Sequence, residues 1–188
     1  MQQRLAELLS YLDSTRERLL ATVSNLNPSF AGVRPRGESW SAADNLAHLA
    51  LVEERIARLV EDGVEWAKGN GVGPEASDES IMSSLDRFSL TDAMEKRTAP
   101  PTITPEEGKS VEDSVDSLVG WRARLKAALM ASHGFDLTAV TKPHPVTGAM
   151  SMYQWGLFAA QHEERHRRQI ERTMDEVTEL CAESAPIV

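Results

Sequence analysis

The sequence predicts an all-α protein, a four-helix bundle. Three observations carry that expectation. Four stretches place apolar residues at helical spacing, capping residues stand at the start of three of them, and a long Gly- and Pro-rich segment separates the second from the third. No stretch reads as a convincing strand, and neither a repeat nor a second domain is evident, so residues 1–188 are read as one domain.

The first helix is expected over residues 3–26, where Leu5, Leu8, Leu9, Leu12, Leu19, Leu20, Val23 and Leu26 form one stripe and Asn27-Pro28 stops it. The second is expected over 41–68. Ser41 is its N-cap, Asp44 stands three residues on as the partner in a capping box, and Leu46, Leu49, Val52, Ile56, Leu59 and Val60 recur at helical spacing. GNGVGP ends it. Residues 69–109 are read as a crossover, with short helical pieces at Ile81–Phe88 and Leu90–Met94 and an extended strap at APPTITPEEG. The third helix, 110–133, starts at Ser110 with Asp113 as capping partner and stops at His133-Gly134. A loop, DLTAVTKPHPVTGAM, leads to the fourth, 151–180, which opens on Ser151 and Gln154 as another capping box.

Acidic residues outnumber basic ones 29 to 20, a net charge of -9, which argues against a non-specific grip on nucleic acid. Arg165, Arg167 and Arg168 are interleaved with Glu163, Glu164 and Glu171, so they read as a solvated helix face of mixed charge. A lone cysteine, Cys181, permits no internal disulfide and fits a reducing compartment. The N-terminal stretch carries charges throughout, and no run approaches 18 apolar residues, so neither a leader nor a membrane span is expected and the location is read as cytoplasmic.

The chemistry centres on AAQHEERHRRQIE, residues 159–171. His162-Glu163-x-x-His166 spells the H-E-x-x-H pattern of zinc peptidases. The two histidines fall on the apolar stripe with Trp155, Phe158, Ile170 and Val177, offset by about 40° around the axis, close enough to share one ion. His48, in NLAHLALVE, lies on or beside the stripe of the second helix. If the two helix starts lie at the same end of the bundle, the three rings meet at one depth. Three imidazoles suit zinc or nickel and leave positions open for water or substrate. The same residues also read as histidines packed on a stripe boundary. The peptidase reading is the remote alternative. Glu163 is turned about 100° from His162 and Glu164 about 200°, toward the charged side, there is no H-x-x-G-x-x-H extension, and no strand offers a substrate edge.

Taken in order, these residues resemble the DinB-like (YfiT-like) family of small metal-binding bundles. The landmarks are Ser39-Trp40-Ser41, then Asn45 to Leu49 ending in His48-Leu49, the APPTITPEEG strap, Asp136-Leu137, His144 to Gly148, and Trp155 followed by His162 and His166. The resemblance implies an up-down-down-up bundle, often a homodimer, with zinc or nickel held by His48, His162 and His166. Several relatives look like thiol transferases or isomerases that use a low-molecular-weight thiol such as bacillithiol, mycothiol or glutathione. The expected activity is therefore metal-dependent attack of a thiol or water on a small electrophile, as an S-transferase or hydrolase. The rival is a non-catalytic metal- or ligand-sensing bundle. Asn45, Val52, Trp155 and Phe158 are expected to line the pocket, and no catalytic base is assigned.

The remaining conspicuous residues read as structural. His133 terminates a helix and His144 sits in a turn between two prolines. Trp40, Trp121 and Trp155 fit core and helix-entry packing, Trp66 an interface, and Cys181 the tail.

Overall fold

Serine side chains set where the helices begin. The computed structural model describes residues 2–35, 40–94, 98–106 and 108–183. Ser39 of the S-W-S entry and Glu107 of the strap lie outside them. Ser41 accepts from the Asp44 amide at 3.0 Å while its own amide donates to the Asp44 carboxylate at 3.0 Å, so two donors left over at the start of α2 (Ala42–Gly69) are satisfied. Ser110 Oγ caps α3 (Val111–Ala131) through the Asp113 amide. Ser151 and Gln154 make a second reciprocal box at the start of α4 (Met152–Glu183). The first helix, α1 (Gln3–Ser24), has no side-chain cap and closes two residues before Leu26. In α3 the helix likewise stops before His133, and Gly134 at φ 98 supplies the left-handed turn that follows.

Two expectations for the connections are corrected. The segment before α4 is not all loop: β1 (Thr141–His144) and β2 (Gly148–Ser151) form an antiparallel hairpin, with His144 opposite Gly148 and Thr141 opposite Ser151. Strands of four residues that include Pro143 carry no alternation long enough to be recognised, and Gly148 at φ 79 closes the turn. In the crossover, 81–94 forms turns around a single 3-10 turn at Asp86–Phe88 rather than helical pieces. The strap contains another 3-10 turn, Pro101–Ile103, where proline suits the first position.

The helices pack α1 beside α4, α4 beside α2, and α2 beside α3. Arg16, Arg18 and Thr22 of α1 meet Glu163, Glu164 and Glu171 of α4, in ascending order on both helices. Asn45 and His48 of α2 meet His166 and His162, in descending order, and Gly63 lies against Met152. The starts of α2 and α4 are therefore at opposite ends, so the condition attached to the shared depth of the histidines is not the one the fold uses. The rings meet because α2 begins near the middle of α4.

Apolar side chains gather in two clusters. The larger contains Leu5, Leu8, Leu12, Ile56, Leu125 and Leu157; the smaller contains Leu19, Leu46, Leu49, Leu118 and Ile170. Each such residue stabilises the fold by about 1.5–3 kcal/mol, well above an exposed ion pair such as Arg124–Glu61, worth about 0–1 kcal/mol. In every helix a charged residue falls between members of the two clusters: Arg16, Glu53, Arg122 and Glu163.

The middle of α4 is covered on its outer side by the crossover. Arg165 donates to the carbonyl of Asp92, Arg168 to Thr91 at 3.5 Å and Arg172 to Ala93 at 2.8 Å. The reading of a solvated face is corrected in part: Glu163, Glu164 and Arg165 are buried, while Arg168 and Glu171 remain exposed. No helix among the described residues is long and apolar enough to cross a membrane.

Candidate metal centre

The site begins at the Ser41 cap. It aligns the first turn of α2 so that Asn45 and His48 face α4. Arg34 reinforces the cap, donating to Asp44 at 2.9 Å. Burial alone would raise the Asp44 carboxyl, but the hydrogen bonds from Arg34 and Ser41 outweigh it and hold it below the usual range. Asn45 is fixed from both ends: its Nδ2 donates to the Ser41 carbonyl at 2.9 Å and its Oδ1 faces His166 Nδ1 at 2.8 Å.

These contacts decide the tautomers. A carbonyl oxygen only accepts, so His48 Nδ1, 2.7 Å from the carbonyl of Ile103, carries the proton. Asn45 Oδ1 imposes the same on His166. In both rings the Nε2 lone pair is then the one left to face a shared space. His48 Nε2 lies 3.4 Å from His162 Nε2, and one ligand atom from each of the three histidines falls within 4.8 Å of the others. Two nitrogens each about 2.05 Å from a tetrahedral ion are about 3.3 Å apart, a spacing that the His48–His162 pair matches.

Burial also favours neutral rings. His48 is 2 % and His166 6 % exposed, while His162 is half-buried. Desolvation lowers the His48 pKa, with the Ile103 bond opposing it. Desolvation, then the neighbouring His162, His48 and Arg165, pushes His166 well below its ordinary value. The donor set therefore fits a divalent ion of the zinc or nickel kind: neutral nitrogens, two of them oriented by second partners.

Aromatic rings frame the cluster. Trp40 lies 4.7 Å from the His48 ring and 6.2 Å from His166, and Phe158 stacks on His162 at 5.3 Å. Trp155 packs on Phe158 and, like it, against His144. His144 is more than a turn residue: its Nδ1 accepts the amides of Val146 and Thr147, which holds the ring against that aromatic wall. Of the four residues expected to line a pocket, Asn45 and Phe158 touch the histidines, Trp155 stands one ring further out, and Val52 belongs to the main apolar cluster. His133 is exposed after α3 and Cys181 is half-buried near the end of α4.

Glu163 is the main correction at the site. It is 1 % exposed, and its carboxylate lies 2.7 Å from Arg16 and 3.1 Å from Arg122. Glu53 completes the set, 2.5 Å from Arg16 and paired with Arg122. That carboxylate faces Arg16 and Arg122 rather than the histidine cluster, so it does not stand where the general base of a peptidase must. Glu164 is also committed. Burial alone would raise its pKa, but Arg167, Arg18 and Arg168 hold it down to about 2.

Sequence reasoning missed two contributors. The Ile103 acceptor is a backbone atom, which no side-chain pattern marks. The Arg–Glu set left a readable trace: Arg16 between Leu12 and Leu19, and Arg122 between Leu118 and Leu125, interrupt apolar stripes.

Comparison with known proteins bears on the fold and the family. YuaE of Bacillus subtilis (strain 168), an uncharacterized protein, is 23% identical over 173 residues, 90% of this chain and 98% of its own. The solved four-helix bundle protein TT2238 superposes with a TM-score of 0.56 at 23% identity, covering 89% of this chain and 98% of that one. The family model of the DinB superfamily matches residues 11–170, and the chain belongs to that superfamily.

Proposed function

We propose that His48, His162 and His166 hold one divalent metal, zinc or nickel, and that the protein is a metal-dependent enzyme acting on a small electrophile. The observation that carries this reading is the pair of Nδ1 hydrogen bonds, His48 to Ile103 and His166 to Asn45, which aim two lone pairs at the space His162 also borders. A bound ion would supply Lewis acidity, lowering the pKa of a thiol or water at an open position. The chain's own residues orient and enclose. Asn45 and Ile103 hold the two buried rings, Trp40 and Phe158 exclude water from either side, and half-buried His162 marks the face from which a co-substrate enters.

The co-substrate we favour is a low-molecular-weight thiol, and the reaction an S-transfer, with hydrolysis as the variant in which water takes the thiol's place. We further place the protein in the cytoplasm, as one domain acting as a homodimer. A non-catalytic sensor built on the same three histidines is the second reading. It is favoured by the burial of His48 and His166, which leaves one side of the cluster for exchange.

The test is the metal content of untagged protein by elemental mass spectrometry, beside the His48/His162/His166→Ala triple variant. About one zinc or nickel per chain, lost in the variant with helicity retained, is expected. Full retention in His166→Ala alone would remove the ligand assignment. Metal without turnover on any thiol and electrophile pair would select the sensor.

A further inference from the structure

Gln161 precedes His162 and lines a cleft with residues of the crossover. It is 7 % exposed and its Oε1 accepts no hydrogen bond from the protein. A buried acceptor without a partner is uncommon and calls for an explanation. Gln161 lines a cleft of about 440 Å³ between α4 and the crossover, together with Leu85, Asp86, Ser89, Leu90 and Arg168. Ser89 is the one non-glycine residue among the described residues with positive φ, at 47°. Strained backbone of this kind concentrates at ligand sites.

The lining is chemically divided. Leu85 and Leu90 are buried and offer an apolar floor. Asp86 brings an exposed carboxylate to the same cleft as the acceptor of Gln161. Arg168 brings a guanidinium that donates through Nε to Glu164 and through Nη1 to Thr91, with donor capacity beyond those two bonds. One ligand type matches all three: an ammonium for Asp86 and Gln161, a carboxylate for Arg168, and an aliphatic group for the leucines. A volume of about 440 Å³ admits a molecule of that size.

We propose that this cleft binds a small zwitterion, a free aliphatic α-amino acid, independently of the metal centre. Nothing in this proposal requires a metal, so it stands apart from the function proposed above.

The probe is L-leucine, with isopentylamine lacking the carboxylate and 4-methylpentanoate lacking the ammonium. Binding is followed by amide shifts of Ser89–Asp92 in isotope-labelled full-length protein, with and without a metal chelator. Saturable millimolar binding of leucine is expected, unchanged by the chelator, with each analogue at least about tenfold weaker, as loss of a charged hydrogen bond implies. Asp86→Asn at the exposed rim and Gln161→Leu at the floor should each weaken leucine by a similar factor. Asp86→Asn carries the test if the buried substitution disturbs folding. No saturable binding of leucine, equal binding of either analogue, or an Asp86→Asn protein that binds leucine unchanged would overturn the proposal.

Discussion

The carboxylate of Glu163 lies 2.7 Å from the Arg16 guanidinium, although the next residue back, His162, belongs to the histidine cluster. One step along α4 thus separates the candidate metal centre from a buried charge network with one member on each helix. Such networks are costly to desolvate and costlier to break. Glu163→Ala should leave Arg16 and Arg122 under-compensated and destabilise the fold by about 3–5 kcal/mol in urea titration. Replacing Arg16, Glu53, Arg122 and Glu163 together by apolar residues of similar volume should recover most of that loss. A Glu163→Ala protein with wild-type stability would show that the network contributes nothing.

Asn45 tests the second partner of a ligand without touching the ligands. Asn45→Ala leaves His166 Nδ1–H without its acceptor. Metal affinity, measured by chelator competition, should fall about 10- to 100-fold while the bundle stays folded. Affinity unchanged in this variant would mean that the orientation of His166 is set by packing alone.

Acid stability should depend on Glu164. Its folded pKa of about 2 lies below its ordinary 4.5, so the unfolded chain binds the proton first. The contribution is therefore present in full above about pH 4.5 and is lost as pH falls toward 2. Melting temperature should drop across that window, and Glu164→Gln should flatten the drop while lowering stability at pH 7. An identical acid limb in the variant would assign the effect to other carboxylates.

The cap at Ser41 offers a milder perturbation. Ser41→Ala removes the acceptor of the Asp44 amide and should cost about 0.5–2 kcal/mol. Because the first two turns of the same helix carry Asn45 and His48, metal affinity should fall with it, whereas Ser110→Ala on α3 should lower stability alone.

Much of this architecture was legible because its signals are local. Ser41 with Asp44, Ser110 with Asp113, and Ser151 with Gln154 each lie within one turn, and the structure makes those bonds. The spacing of His162 and His166 likewise places two rings on one face without tertiary information. What stayed hidden depends on distant partners. Glu163 looked solvated because its own helix surrounds it with charge, and only Arg16 and Arg122, on other helices, reveal that it is buried. The hairpin escaped notice because its strands are short and Pro143 interrupts them. The crossover was recognised by length and composition, but its role as the cover of α4 rests on backbone carbonyls that no side-chain code announces.

The Ile103 carbonyl reaches His48 across 55 residues of chain, and His48 reaches His162 across 114. Loops of that size close late in folding, after the local helices are in place. Docking of α2 on α4 brings the three rings together, but the bond that orients His48 comes from the crossover, so a bundle with its crossover undocked lacks the site in full. An ion held there is linked to completion of the fold, so occupancy reports maturation of the chain. Proteolytic nicking between α2 and α3 should accelerate metal loss before it unfolds the helices.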